Sequence, residues 1–217
     1  LSIAATLVGV PIIVVCIETI AAVWYQVSKE LLPSLPRPSC GILMPAHNES
    51  AVIELTLKTL MPQLGSDDQV LVIADNCTDD TADVARRSPV TVIERFSETQ
   101  RGKGYALAHG LTHWGPSVPE VVVIMDADCW IIDGTLNKIV ATAASTQRPA
   151  QAVYLMERPP DPSPGDQISA FAFLFKNLVR PLGLHQLGQP CLLTGTGMAF
   201  PRCLLSAEKL ATGNIVE

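Results

Sequence analysis

The chain has 217 residues, 48% of them hydrophobic and only 17% charged, with 15 Lys and Arg against 21 Asp and Glu for a net charge of -6. That composition excludes intrinsic disorder, which needs low hydrophobicity and high charge, and the acidic balance offers no general basic surface, so nucleic acid is not expected as a partner. Six scattered cysteines (Cys16, Cys40, Cys77, Cys129, Cys191 and Cys203) form no C-x-x-C pair, which indicates neither a disulfide framework nor a zinc site.

The apolar excess is concentrated at the start. Between Leu1 and Ser28 the only charge is Glu18, and Leu1–Tyr25 is long enough to span a bilayer. Trp24 and Tyr25 stand where interfacial aromatics sit, and Lys29 and Arg37 follow, placing everything after the helix on the cytoplasmic side of the cell (inner) membrane. A signal peptide is the alternative, but the run is long and ends in bulky aromatics rather than a small-residue cleavage site; a buried core helix is another. Glu18 counts against the span, because a carboxylate costs a few kcal/mol there on insertion scales. The expected organisation is a transmembrane helix over 1–28, a stiff linker over 29–39 carrying Pro33, Pro36 and Pro38, and an α/β domain over 40–217.

Within that domain short apolar runs alternate with amphipathic stretches. Gly41–Pro45, Val70–Ala74, Val90–Ile93 and Val121–Met125 read as strands, and Gln151–Met156 as a fifth. Helices are predicted over Ala51–Leu60, Asp79–Arg87, Lys103–Trp114 and about Gly134–Ser145, the last with Asp133 as N-cap. Solid apolar strands separated by helices imply a doubly wound, mostly parallel sheet covered on both faces, Rossmann-like in architecture. In such sheets ligands bind beyond the carboxyl ends of the strands. Four strands in succession empty polar residues there: Pro45, His47, Asn48 and Glu49; Asp75, Asn76, Thr78 and Asp79; Arg95 and the loop Gln100–Gly104; Asp126 and Asp128.

The chemistry follows from residue type. Asp126 and Asp128, two residues apart past a buried strand, can share one cation, and hard oxygen ligands select Mg²⁺ or Mn²⁺. Gly102-Lys103-Gly104 opens a helix whose N-terminus attracts anions and adds a full positive charge, which suits a diphosphate; a solvated turn lysine is the plain alternative. Asp75 could accept a hydrogen bond from a base or sugar hydroxyl, or merely cap the next helix; Asn48 and Glu49 face the same choice, with Ser50 a rival cap. The histidines, His47 included, show no ligand spacing. Ile168–Leu182 reads either as an amphipathic helix at the membrane surface or as a core helix.

Four motifs in this order, Pro45–Glu49 (PAHNE), Ala74–Thr81 (ADNCTDDT), Arg101–Leu107 (RGKGYAL) and Asp126–Asp128 (DAD), resemble the family 2 glycosyltransferases of the GT-A fold, and among them the membrane-bound polysaccharide synthases. The resemblance implies a metal-dependent, inverting transfer of a sugar from a nucleotide-diphosphate donor, commonly a UDP-sugar, to a glycan or lipid acceptor. Carried onto this chain, it implies Pro45, Asn48, Glu49 and Asp75 at the nucleoside, Lys103 at the diphosphate, Asp126 at ribose or metal, and Asp128 as metal ligand. Gly195-Thr196-Gly197-Met198 resembles the glycine-containing segment that walls the donor sugar and acceptor site in that family. Ala74 and Cys77 depart from its pattern, standing where many members have Asp and Ser. The acidic pair that supplies the general base is expected to begin at Glu217, with the base itself beyond it. Two alternatives belong to other classes: a catalytically silent, membrane-tethered nucleotide-sugar-binding module, and a nucleotidyltransferase, which would need a glycine-rich, arginine-bearing loop where this chain has PAHNE.

Overall fold

The structure, a computed structural model, describes residues 2–25, 37–157 and 159–211. The predicted linker up to residue 36, Lys29 within it, and Glu217 lie outside the described residues. The chain divides into two compact units, Leu1–Glu30 with Val153–Thr194, and Leu31–Ala152 with Gly195–Glu217.

In the first unit α1 (Ser2–Trp24) is long and apolar enough to cross a membrane by length and composition. Leu7, Ile13, Ile20 and Val23 are more than half exposed. Alongside Ala21, Glu18 is an exception on this helix. It is buried and gripped by a two-pronged ion pair, Arg180 Nε to Oε2 at 2.7 Å and Nη2 to Oε1 at 3.2 Å. The desolvation that counts against a carboxylate here is offset by its partner. The stretch predicted as one helix over Ile168–Leu182 is three consecutive segments: α6 (Pro164–Leu174), a π-turn at Phe175–Val179, and α7 (Arg180–Gln186). A capping box starts α6, with the Ser163 hydroxyl accepting from the Asp166 N–H and the Asp166 carboxylate accepting from the Ser163 N–H. Gly183 lies against the backbone of Glu18, so close that a Cβ would come within 3.1 Å of Glu18 Cα.

The second unit is built on a six-stranded sheet. Its elements in chain order are β1 (Cys40–Ala46), α2 (Ile53–Leu60), β2 (Gln69–Asp75), α3 (Thr81–Ala85), β3 (Thr91–Arg95), α4 (Lys103–Trp114), β4 (Val121–Ile124), α5 (Thr135–Thr146), β5 (Ala150–Gln151), β6 (Met198–Pro201) and α8 (Ala207–Leu210). The strand order is β3-β2-β1-β4-β6-β5. β1 to β4 are mutually parallel, β6 runs antiparallel to β4, and β5 antiparallel to β6. Successive residues of β1 (Ile42, Leu43, Met44) and of β4 (Val121, Val122) are all fully buried, so both faces of the sheet are covered. Helix α4 sits against β1 and β2 through Gly110, whose missing side chain makes room for Leu43 and Ile73.

Two expectations are corrected. The fifth strand does not run over Gln151–Met156: only Ala150 and Gln151 pair, antiparallel, with β6, and from Val153, more than half exposed, the chain leaves the sheet. Asp133 is not the cap of α5. Gly134 holds that position at φ +78° with no side-chain bond.

At the opposite edge of the sheet from the strand ends, Arg37 locks the entry to β1. Its guanidinium grips Asp68 in two places, at 2.9 and 2.5 Å, while Asp68 also accepts from the backbone N–H of Cys40 at 2.8 Å and of Gly65 at 2.6 Å. Burial would raise the Asp68 pKa, but these donors outweigh it and hold the carboxylate below its ordinary value.

Candidate functional site

The four parallel strands end on one side, and there Pro45, His47, Glu49, Asp75, Asn76, Arg101, Gly102, Lys103, Asp126 and Asp128 line a single cavity of about 420 Å³. Six of the seven residues predicted to bind donor or metal lie on it. The other, Asn48, does not line it. Asn48 adopts the left-handed conformation (φ +57°) that asparagine tolerates, and its carboxamide oxygen accepts from the Thr78 N–H at 2.8 Å and hydroxyl at 3.3 Å. It thus ties the loop after β1 to the loop after β2. Asp79 acts likewise. Its carboxylate, held well below the ordinary range by the Thr81 hydroxyl and Ser50, fixes the start of α3.

At one end of the cavity Asp75 is buried and paired with Arg95 at 2.5 Å. The two are register partners on neighbouring strands, so their side chains emerge side by side. Arg95 Nη2 also donates to the Gln100 carbonyl at 2.7 Å, and its guanidinium lies 5.8 Å from the Tyr105 ring centre. The Arg95 and Asn76 contacts both fall on Asp75 Oδ1; among the described residues none donates to Oδ2. His47 Nδ1 lies 2.7 Å from the Asp75 carbonyl oxygen. Arg95 and His47 have structural work at the site that residue spacing did not reveal.

At the acidic end, Gly102 takes φ +115°, a conformation glycine alone adopts readily, and turns the chain into α4. Lys103 Nζ then pairs with Asp126 and donates to the Gly195 carbonyl at 2.6 Å. Burial pushes the Asp126 carboxyl up, and the Asp128 charge adds to this against the pull of Lys103. Glu49 is raised as well, first by burial and then by the charges of Asp128, Asp126 and Asp79. Such crowding of carboxylates is relieved by a bound cation. Asp126, Asp128 and Cys129 each offer one ligand atom, all within 4.8 Å of one another. The two carboxylates are the hard donors that suit Mg²⁺ or Mn²⁺. The Cys129 thiol, which burial raises to about 11, is the soft donor of the three and matches these hard ions less well than the carboxylates. The residues present fit a divalent ion.

Gly195 and Thr196 enter the site from a segment more than 60 residues away. The sequence marked Gly195-Thr196-Gly197-Met198 only by its resemblance to a glycine-containing segment, not for the contact of Thr196 with Asp126.

A mostly parallel sheet that gathers an acidic pair and a helix-opening lysine at the carboxyl ends of its strands, with an antiparallel strand beside the acidic loop, is the architecture of the GT-A class of glycosyltransferase. The chain belongs to glycosyl transferase family 2, whose family model matches residues 41–202. It is 31% identical over 113 residues to the probable glycosyltransferase YdaM of Bacillus subtilis (strain 168), which covers 48% of this chain and 25% of that protein. Among solved structures it is similar to the mannosyltransferase PcManGT from Pyrobaculum calidifontis in complex with GDP-Man and Mn²⁺ (25% identity, TM-score 0.54, covering 91% of this chain and 56% of that one). It shares its fold with glucosyl-3-phosphoglycerate synthase from Mycobacterium tuberculosis in complex with UDP (23% identity, TM-score 0.51, covering 77% and 58%). The chain thus spans a quarter of that curated relative and somewhat over half of those structures.

Proposed function

We propose that this chain transfers a sugar from a nucleotide-diphosphate donor to a glycan or lipid acceptor, with inversion at the anomeric carbon, and that it does so tethered to the inner membrane with the 40–217 domain on the cytoplasmic side. The observation that carries the reading is the convergence of Asp75, Lys103, Asp126 and Asp128, from three different strand ends, on one cavity. Family membership and the likeness to a GDP-Man and Mn²⁺ complex support it.

In this reading Pro45, Glu49 and Asp75 hold the nucleoside, Asp75 through Oδ2. Asp128, with Asp126, holds Mn²⁺ or Mg²⁺, which when bound supplies Lewis-acid stabilisation to the diphosphate leaving group. Lys103, already oriented by Asp126 and the Gly195 carbonyl, adds a fixed positive charge beside the phosphates as the anomeric bond breaks. A carboxylate in the acidic pair that begins at Glu217 takes the acceptor hydroxyl's proton. The N-terminal segment over 1–28 anchors the chain, and Arg180 neutralises its one carboxylate.

The test is a panel of UDP- and GDP-sugars titrated against the full chain in nanodiscs, with and without Mn²⁺, followed by transfer assays and NMR of the product's anomeric proton. Mn²⁺-dependent binding of one donor, lost in Asp128→Ala, is expected. No Mn²⁺-dependent binding of any donor would overturn the assignment.

A further inference from the structure

Thr196 is almost fully buried at 3% exposure, yet its hydroxyl is fully engaged with the acidic loop. Its oxygen accepts from the Asp126 backbone N–H at 3.0 Å, and its proton is directed at Cys129 Sγ at 3.6 Å. The Cys129 thiol in turn faces Asp128 Oδ1 at 3.4 Å, with the thiol as donor. One hydroxyl therefore reaches both carboxylates of the Asp-Ala-Asp sequence: Asp126 through its backbone, Asp128 through an intervening thiol. Thr196 is itself fixed. Gln151 Nε2 donates to its carbonyl at 2.8 Å. Gly195 and Gly197 on either side take φ +88° and +64°, which aim the intervening residue into the loop. The Gly195 carbonyl holds Lys103 at 2.6 Å.

We infer that Thr196, acting with Cys129, is a positioning residue that sets the two metal-binding carboxylates from outside the coordination shell. The inference rests on the function proposed above for Asp126 and Asp128. Threonine suits the position because it accepts and donates at once. Valine has the same shape but would strand the Asp126 N–H without an acceptor, and the carboxylates would lose their fixed separation. Partners outside the ligand shell typically govern metal affinity by 10–100-fold.

The experiment measures Mn²⁺ affinity by electron paramagnetic resonance, and the Mn²⁺ dependence of donor turnover, on the full chain carrying Thr196→Val, Thr196→Ser, Cys129→Ala or the Thr196→Val/Cys129→Ala pair. Thr196→Val is expected to weaken Mn²⁺ about 10-fold, with a smaller loss in kcat at saturating Mn²⁺. Thr196→Ser should restore most of that affinity. The double variant should be weakened by less than the product of the two single effects, because both cut one relay. A folded Thr196→Val chain with wild-type Mn²⁺ affinity would overturn the inference while leaving the proposed function standing. A wild-type chain that binds neither Mn²⁺ nor donor would overturn that function first. Should Thr196→Val fail to fold, Cys129→Ala decides: weakened Mn²⁺ binding supports the relay and unchanged binding overturns it.

Discussion

Replacing Arg95 with alanine is the perturbation that best tests how the cavity is held. Both members of the Arg95–Asp75 pair are about one-tenth exposed, with nitrogen and oxygen 2.5 Å apart. At an effective dielectric of about 20, unit charges about 4 Å apart attract by roughly 4 kcal/mol. Removing one partner of a buried pair costs about 3–5 kcal/mol, because the other charge is left without compensation. Arg95→Ala also releases the Gln100 carbonyl, and with it the loop that delivers Lys103. In a domain of this size each kcal/mol shifts Tm by about 2–4 °C, so the expected fall is on the order of 6–20 °C. The assay is thermal unfolding by circular dichroism, run beside Arg95→Met combined with Asp75→Leu. That double variant removes both charges and should recover most of the lost stability, although donor binding should stay impaired. An Arg95→Ala chain melting within about 2 °C of wild type would refute the reasoning, since a pair so placed cannot be removed so cheaply.

Other outcomes are expected elsewhere. Asp128→Ala should abolish metal-dependent turnover while changing stability by no more than about 0.5 kcal/mol, because Asp128 is exposed; a large fall in Tm would show that it carries structure instead. Asp68 has a folded pKa below its unfolded value, so its contribution is fully present above the unfolded pKa of about 3.9 and is lost as pH falls through the folded one. Denaturant titrations should therefore show wild type more stable than Asp68→Asn at pH 6, with the gap closing below about pH 4. Gly110→Val should destabilise by about 1–3 kcal/mol, measured by urea unfolding, because a Cβ there would lie 2.8 Å from Leu43 Cδ2 and 3.1 Å from Ile73 Cδ1. Gly183→Val should separate α7 from α1, and faster amide exchange over Arg180–Gln186 would report it.

The strands legible in the sequence were those buried on both faces. β1, β2 and β4 are unbroken apolar runs because no side of them meets water, and β3 followed from its place in the alternation. β6 escaped notice for the opposite reason. Met198–Pro201 is four residues long, ends in proline and pairs antiparallel, so neither length nor periodicity marks it. The overlong fifth strand has the same origin: the apolar residues from Val153 continue the pattern, but among the described residues no strand pairs with them. Within the site, the carboxylates and Lys103 were readable because a parallel sheet delivers strand ends to one edge. The Asp75–Arg95 pair was not readable, since it depends on the register between β2 and β3. Thr196 was marked only through the resemblance of its segment; its contact with the acidic loop was hidden, because it comes from a stretch distant in sequence.

Helix α4 has a further consequence. Its small-residue contact at Gly110 and its working end at Lys103 are seven residues apart, about 10 Å along the axis. The helix is seated along its length by Ala106, Leu107, Leu111 and Trp114 as well, all buried, so thickness added at one point is passed along a stiff rod to the other. A single methyl added under Gly110 would displace the lysine's end, so a substitution remote from the cavity would move the positive charge that lines it.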